Sequence, residues 1–254
     1  MPRAAALFLS HGAPDLILHP EDPAHQAIKA LGRRLPRPDA VVVATAHWTT
    51  REPAVGRASR PTTIHDFGGF APELYEITYP APGAPAVAER AMAALAAAGI
   101  TARAVDQGLD HGVWVPLGIL FPDADIPVVP LAVQPGRDGE HHLALGRALA
   151  PLRDDNVLII GSGSATHNLG ALVPGLTTAP AWVQAFDDWF VAAATAGDTQ
   201  ALARWTTAPH ARQNHPTPEH FLPALVAAGA GGPAEVLHRS TAWGALAMTV
   251  LSFR

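Results

Sequence analysis

The sequence contains no cysteine, and that absence removes disulfides, thiolate zinc sites, iron–sulfur clusters and cysteine nucleophiles together. Any metal must be held by nitrogen and oxygen. Lysine is almost as scarce: Lys29 stands alone, no Lys/Arg run occurs, and the formal net charge is -5. The electrostatic footprint of a nucleic-acid binder is missing, so DNA, RNA and anionic membranes are excluded as partners. Met1-Pro2-Arg3 and the apolar run Ala4 to Leu9 are too short for a signal-peptide core or a membrane span, and a cytoplasmic location is expected. Charged residues make up 15% of the chain against 48% hydrophobic, a balance that opposes disorder and suits a compact, Ala-rich fold. With no linker along its length, the chain 1–254 is read as a single domain.

Short apolar runs bounded by Gly, Pro or polar residues predict buried strands over Ala4–Ser10, Ala40–Ala46, Ile126–Val133 and Val157–Gly161, with a last one within Ala245–Phe253. Between them, apolar residues at helical spacing and Pro-led starts predict helices over Ala84–Ala98, Glu140–Leu152, Ala181–Ala196 and Pro218–Ala228. The alternation is βαβ. It implies an α/β fold whose central sheet, mostly parallel or mixed, is flanked by helices.

What the sequence does have is histidine, thirteen against two tyrosines and three methionines. Histidine is the commonest protein metal ligand and the usual acid/base near neutral pH. His11 follows Ala-Ala-Leu-Phe-Leu-Ser and His47 follows Val-Val-Val-Ala-Thr-Ala, each where a buried strand should emerge at its carboxyl end. His167 comes after Val-Leu-Ile-Ile and a Gly/Ser loop. In open α/β sheets ligands bind beyond the carboxyl ends of the strands, so three distant histidines converge on one edge. His65, in Ile-His-Asp-Phe-Gly-Gly-Phe, and His111, in Leu-Asp-His-Gly-Val-Trp, occupy loops next to carboxylates. His220 opens a Pro-led helix beside Glu219, and only one of two neighbouring helical residues points readily into a given site. His215 is the weaker candidate, and His19, His25, His141, His142, His210 and His238 are expected on the solvated surface. A metal held by three such ligands, with open positions left, suits zinc hydrolysis or non-heme iron oxygen chemistry alike.

Seven segments carry a likeness: Leu7-Phe-Leu-Ser-His-Gly-Ala-Pro14, Ala44-Thr-Ala-His-Trp48, Ile64-His-Asp-Phe-Gly-Gly-Phe70, Tyr79-Pro-Ala-Pro-Gly83, Leu109-Asp-His-Gly-Val-Trp114, Thr166-His-Asn-Leu169 and Pro216-Thr-Pro-Glu-His-Phe-Leu-Pro223. In this order they resemble the DOPA-dioxygenase-type branch of the class III extradiol ring-cleavage dioxygenases, over nearly the whole chain. The resemblance implies a catechol substrate and O2 as partners, Fe(II) as the working metal and Zn(II) as a possible occupant. It implies His11, His47 and His220 as metal ligands, with Glu219 as the competitor of His220. It also implies His167 as the acid/base, His111 as a second active-site histidine positioning oxygen or substrate, and His65 in the substrate pocket.

The segment Gly161-Ser-Gly-Ser-Ala165 does not meet the Gly-x-Ser-x-Gly pattern of a nucleophile elbow, which discounts serine hydrolysis. A zinc hydrolase or a non-catalytic zinc-binding protein on the same fold stays as the alternative. Trp48, Phe67, Phe70, Trp114 and Trp243 are expected in the core rather than the pocket. Arg51 and Arg60 are the basic side chains near the motifs that could meet a substrate carboxylate. Nothing in the sequence specifies an oligomer.

Overall fold

The structure, a computed structural model, describes residues 3–254. Met1 and Pro2, the start of the N-terminal segment considered above, lie outside the described residues. The described residues form ten strands: β1 (Ala6–Ser10), β2 (Ala40–Thr49), β3 (Ala54–Gly56), β4 (Arg103–Val105), β5 (Val128–Val133), β6 (Val157–Gly163), β7 (Ala234–His238), β8 (Thr241–Ala242), β9 (Leu246–Ala247) and β10 (Val250–Phe253). The helices are α1 (Pro23–Arg34), α2 (Pro85–Ala97), α3 (His111–Leu120), α4 (Gly139–Leu149), α5 (Ala181–Ala196), α6 (Thr199–Ala203), α7 (Ala211–Asn214) and α8 (Leu222–Ala230).

Eight strands make one mixed sheet in the order β4-β3-β5-β2-β6-β1-β10-β7. Its centre, β5-β2-β6-β1, is parallel, and β10 and β7 continue it antiparallel. The near-continuous apolar runs follow from burial on both faces. Along β1, Ala6 and Phe8 enter one core layer while Leu7 and Leu9 enter the other; β2 divides Val42 and Ala44 from Val41 and Val43 in the same way. Helices α2, α4, α5 and α8 cover the first face, α1 and α3 the second. Each fully buried Leu, Val or Phe contributes about 1.5–3 kcal/mol to holding the helices on the two faces.

Several elements depart from the sequence reading for identifiable reasons. The run Ala245–Phe253 is divided into β9, which pairs with β8, and β10, which joins the main sheet. Pro151 ends α4 and turns Ala150–Asp155 into a 3-10 segment. The last predicted helix starts at Leu222 with Pro223 in its first turn, so His220 precedes it in a turn. Helix α3 has no polar face, being buried all round, and Pro116 lies inside it; such a segment has no amphipathic signal to read.

Two histidines expected at the surface are inside. His142 donates from Nδ1 to Asp138 O (2.8 Å) and accepts from Gln134 N at Nε2 (3.1 Å), and His25 bonds Leu16 O at 3.0 Å. Burial lowers His142 to about 4. His215, enclosed by Phe186, Trp205 and Phe221 and bonded to Ala165 O, is likewise lowered by burial to about 4. As pH falls from the ordinary histidine value of 6.5 towards 4 the unfolded chain binds protons that the folded one refuses. The stability that both residues contribute above pH 6.5 is therefore lost across that window, about 3 kcal/mol for each. Urea midpoints measured from pH 7 down to 4.5 should fall accordingly, and His142→Asn should flatten the dependence.

Candidate active site

The carboxyl ends of β1, β2 and β6 open into one cleft of about 700 Å³. His11 follows β1, and its amide donates to Gly163 O (2.9 Å) at the end of β6. His47 lies in β2 where pairing with β5 slips between Thr45 and Thr49. That irregularity is held by a buried chain: His47 N donates to Thr45 Oγ1 (3.2 Å), and Thr45 donates to Asp110 Oδ1 (2.7 Å). Burial pushes the Asp110 carboxyl up to about 6 against the Thr45 bond, and its Oδ2 has no partner among the described residues.

His220 is brought in by close backbone packing. A Cβ on Gly163 would lie 2.1 Å from His220 O, and one on Gly161 would lie 2.0 Å from Pro223 O. Only glycine lets the turn before α8 rest on β6, and Ser164 N then donates to His220 O at 2.9 Å.

The three rings meet at their Nε2 atoms. His47 Nε2 is 3.2 Å from His11 Nε2 and 3.2 Å from His220 Nε2. Their outer nitrogens decide the tautomers. Ser162 donates its hydroxyl proton to Gly112 O and can only accept from His11 Nδ1 at 2.9 Å. Carboxylates hold the others: Asp66 Oδ2 at 3.3 Å from His47 Nδ1 and Glu219 Oε1 at 3.1 Å from His220 Nδ1. With every Nδ1 carrying hydrogen, three Nε2 lone pairs face one another. Burial, then neighbouring imidazoles, keep His11 and His220 well below 6.5, so protons do not relieve the repulsion. A divalent cation fits: nitrogens about 2.0–2.1 Å from a tetrahedral centre are separated by roughly the spacing seen here.

Asp66, which the sequence reading passed over in favour of its neighbour, is the hub of the second layer. Its Oδ1 accepts from both His111 N and His111 Nδ1, each at 2.9 Å. Burial alone would raise its carboxyl, but the His111 and His47 bonds outweigh that and hold it well below the usual carboxylate range. His111 is the first residue of α3, not part of a loop, and donor atoms of His11, His47 and His111 lie within 4.8 Å of one another. A second such group, His167, Glu219 and His220, adjoins it.

His167 lies open to the cleft with its ring stacked on His220, centroids 3.4 Å apart. Burial lowers it to about 4 despite the nearby Glu219 carboxylate, leaving a neutral imidazole at physiological pH. His65 does not reach the cleft: its Nε2 bonds Ile77 O at 2.9 Å and its ring packs on Phe67, Tyr75 and Trp114. Phe67, Phe70 and Trp243, expected in the core, line the cleft, while Trp48 and Trp114 are buried as expected. Neither Arg51 nor Arg60 is in the lining; Arg51 borders a separate depression with Arg137.

Residues 5–249 match the family described as the catalytic LigB subunit of aromatic ring-opening dioxygenase. The chain belongs to the LigB family. Its similarity extends to the 4,5-DOPA dioxygenase extradiol of Beta vulgaris, 43% identical over 92% of this chain and 90% of that one. The Escherichia coli (strain K12) protein of the same name is 40% identical over 90% and 85%. A crystal structure of an uncharacterized Escherichia coli K12 protein superposes with a TM-score of 0.84 at 32% identity, covering 99% of this chain and 100% of that one. This LigB member is thus an aromatic ring-opening dioxygenase of the extradiol class, and among its described residues no helix is long and apolar enough to cross a membrane.

In this LigB protein Asp66→Asn should weaken the site without emptying it. An amide cannot accept from both His47 and His111 with the same charge, and loss of such a supporting carboxylate costs about 10–100-fold in metal affinity. Chelator competition reads this directly; unchanged affinity would remove Asp66 from the support of the site.

Proposed function

We propose that the protein is a non-heme Fe(II) dioxygenase that opens a catechol ring beside its diol, incorporating both atoms of O2 to give a semialdehyde acid. The observation that carries this reading is the trio of preset Nε2 lone pairs of His11, His47 and His220 at one wall of a largely apolar cleft. His47 Nε2 lies 3.2 Å from Nε2 of both His11 and His220, so His220 is assigned as third ligand and Glu219 as its support; His111, whose donor atom also lies within 4.8 Å of those of His11 and His47, is the competing third ligand. Three protein ligands leave coordination positions for substrate and oxygen together.

Bound there, Fe(II) would supply a redox-active Lewis acid through which the diol's electrons reach oxygen with no external reductant. The chain's own residues do the rest. His167, neutral and facing the cleft, takes a phenolic proton at a ring nitrogen and returns it when the O–O bond breaks. His111, its Nδ1–H fixed by Asp66, presents Nε2 as an acceptor for the second hydroxyl of the substrate. Phe67, Phe70 and Trp243 sandwich the ring and exclude water. The atoms balance: one diol and one O2 give one product.

Oxygen uptake after anaerobic reconstitution with Fe(II), across a panel of catechols and with Zn(II)-loaded protein as control, tests the reading. Stoichiometric uptake with a yellow product in the iron form alone is expected. Iron-loaded protein that consumes no oxygen with any catechol would sink it and favour zinc-dependent hydrolysis.

A further inference from the structure

No step of the ring opening uses His215. It lies outside the cleft lining, 3% exposed, with its ring packed against Phe186, Trp205 and Phe221. Its Nε2 is 2.9 Å from Ala165 O, which can only accept, so Nε2 carries the hydrogen and Nδ1 is left as a bare lone pair. That lone pair has no partner among the described residues. An apolar ring would fill such a pocket without burying an unpaired nitrogen, so the one bond that His215 makes has to account for its presence.

The bond reaches the loop that carries the acid/base. Ala165 is fully buried, no other described residue bonds its carbonyl, and solvent does not reach it to replace a lost partner. Two residues on stands His167, whose ring lies flat on His220, centroids 3.4 Å apart at an interplanar angle of 7°. Three consecutive residues grip this loop: Asn168 Nδ2 donates to Gln213 O (2.6 Å), His167 N to Asn214 O (2.9 Å), and His215 Nε2 to Ala165 O. Only the last of these contacts is made by a side chain of the gripping segment. Five residues further on, the same segment delivers His220, whose carbonyl accepts from Ser164 N at 2.9 Å. His215 thus clips together the two stretches whose separation sets the stack of His167 on His220.

We propose that His215 is a positioning residue for His167: by holding Ala165 O it fixes the height of the 164–168 loop, and with it the aim of the His167 ring at the substrate. This rests on the acid/base reading of His167 given above. A reacting group displaced by about 1 Å loses about 10²-fold in rate, so the clip acts on turnover and leaves substrate and metal affinity alone.

Three replacements separate the bond from the packing. His215→Phe keeps a ring and removes the donor, His215→Gln places an amide N–H where Nε2 was, and His215→Asn carries the same amide one atom short of Ala165 O. On the Fe(II)-loaded enzyme H215F and H215N should lose about 10²-fold in kcat with KM within about twofold and metal retained, while H215Q stays within about threefold of wild type. In a His167→Ala background His215→Phe should cost nothing further, because both changes act through one group. Additive losses, equal activity of H215Q and H215N, or loss of metal overturns the proposal. Should H215F fail to fold, the comparison of H215Q with H215N still decides. Should the wild type open no diol, the dioxygenase reading fails by itself, and proton NMR of the Zn(II)-loaded protein decides. The ring-proton resonances of His167, identified by their absence from His167→Ala, should leave their stacked positions in H215F and H215N and keep them in H215Q; resonances unmoved in all three overturn the assignment.

Discussion

Replacing His47 with alanine should abolish both metal retention and ring opening. His47 is the member of the trio whose Nε2 lies 3.2 Å from each of the other two, so its loss leaves His11 and His220 without the ligand that joins them. It also leaves Asp66 holding His111 alone. A fault in a supporting residue costs about 10–100-fold in affinity, and removal of a ligand from a three-ligand site must exceed that. Metal content after dialysis, by elemental analysis, should be near zero for His47→Ala and near one per chain for wild type. Circular dichroism should be unchanged, because the side chain packs at the cleft rather than in a core layer. Full metal content in the variant would move the centre elsewhere.

His167→Ala should behave in the opposite way on one axis and alike on the other. Its ring stacks on His220 without holding a place in the Nε2 trio, so metal should be retained while turnover falls about 10²–10⁴-fold, the usual contribution of a positioned acid/base. Because His167, Glu219 and His220 also form a compact donor group, metal analysis of this variant separates the two arrangements. Loss of metal together with activity would make His167 a ligand and displace the assignment of His11 and His47 with His220.

How much of this could be read from sequence differs from residue to residue, and the differences are physical. His11 and His47 were legible because buried parallel strands announce themselves as apolar runs and must end at the functional edge. His220 was legible only as one of two neighbours. Asp66 was hidden beside His65: an isolated parallel bridge pairs Thr63 with Leu109, so the chain there is extended, and successive side chains point to opposite sides. Asp66 faces the site and His65 faces the aromatic cluster. Residue type singles out the histidine of the pair, whereas the alternation allows either. His142 could have been recognised as internal, since His142, Leu145 and Leu149 recur on one face of α4 and all are buried. Ser162, which orients His11, had no local signal at all; only the parallel register that sets Leu9 opposite Ser162 brings it under the ring.

The meeting of His11, His47 and His220 has a consequence for the chain as a polymer. The nitrogens that converge belong to residues 36 and 173 positions apart in sequence. A cation shared among them closes two long loops at once, and loop-closure entropy grows only slowly with length, so tying distant points is where a cross-link restricts the unfolded ensemble most. In a protein without a single cysteine, the catalytic ion would take the place of the covalent staple. Chelation would then remove a tether between the first strand, the second strand and the turn before α8 as well as the chemistry, and catalytic competence and resistance to unfolding would be lost in the same step.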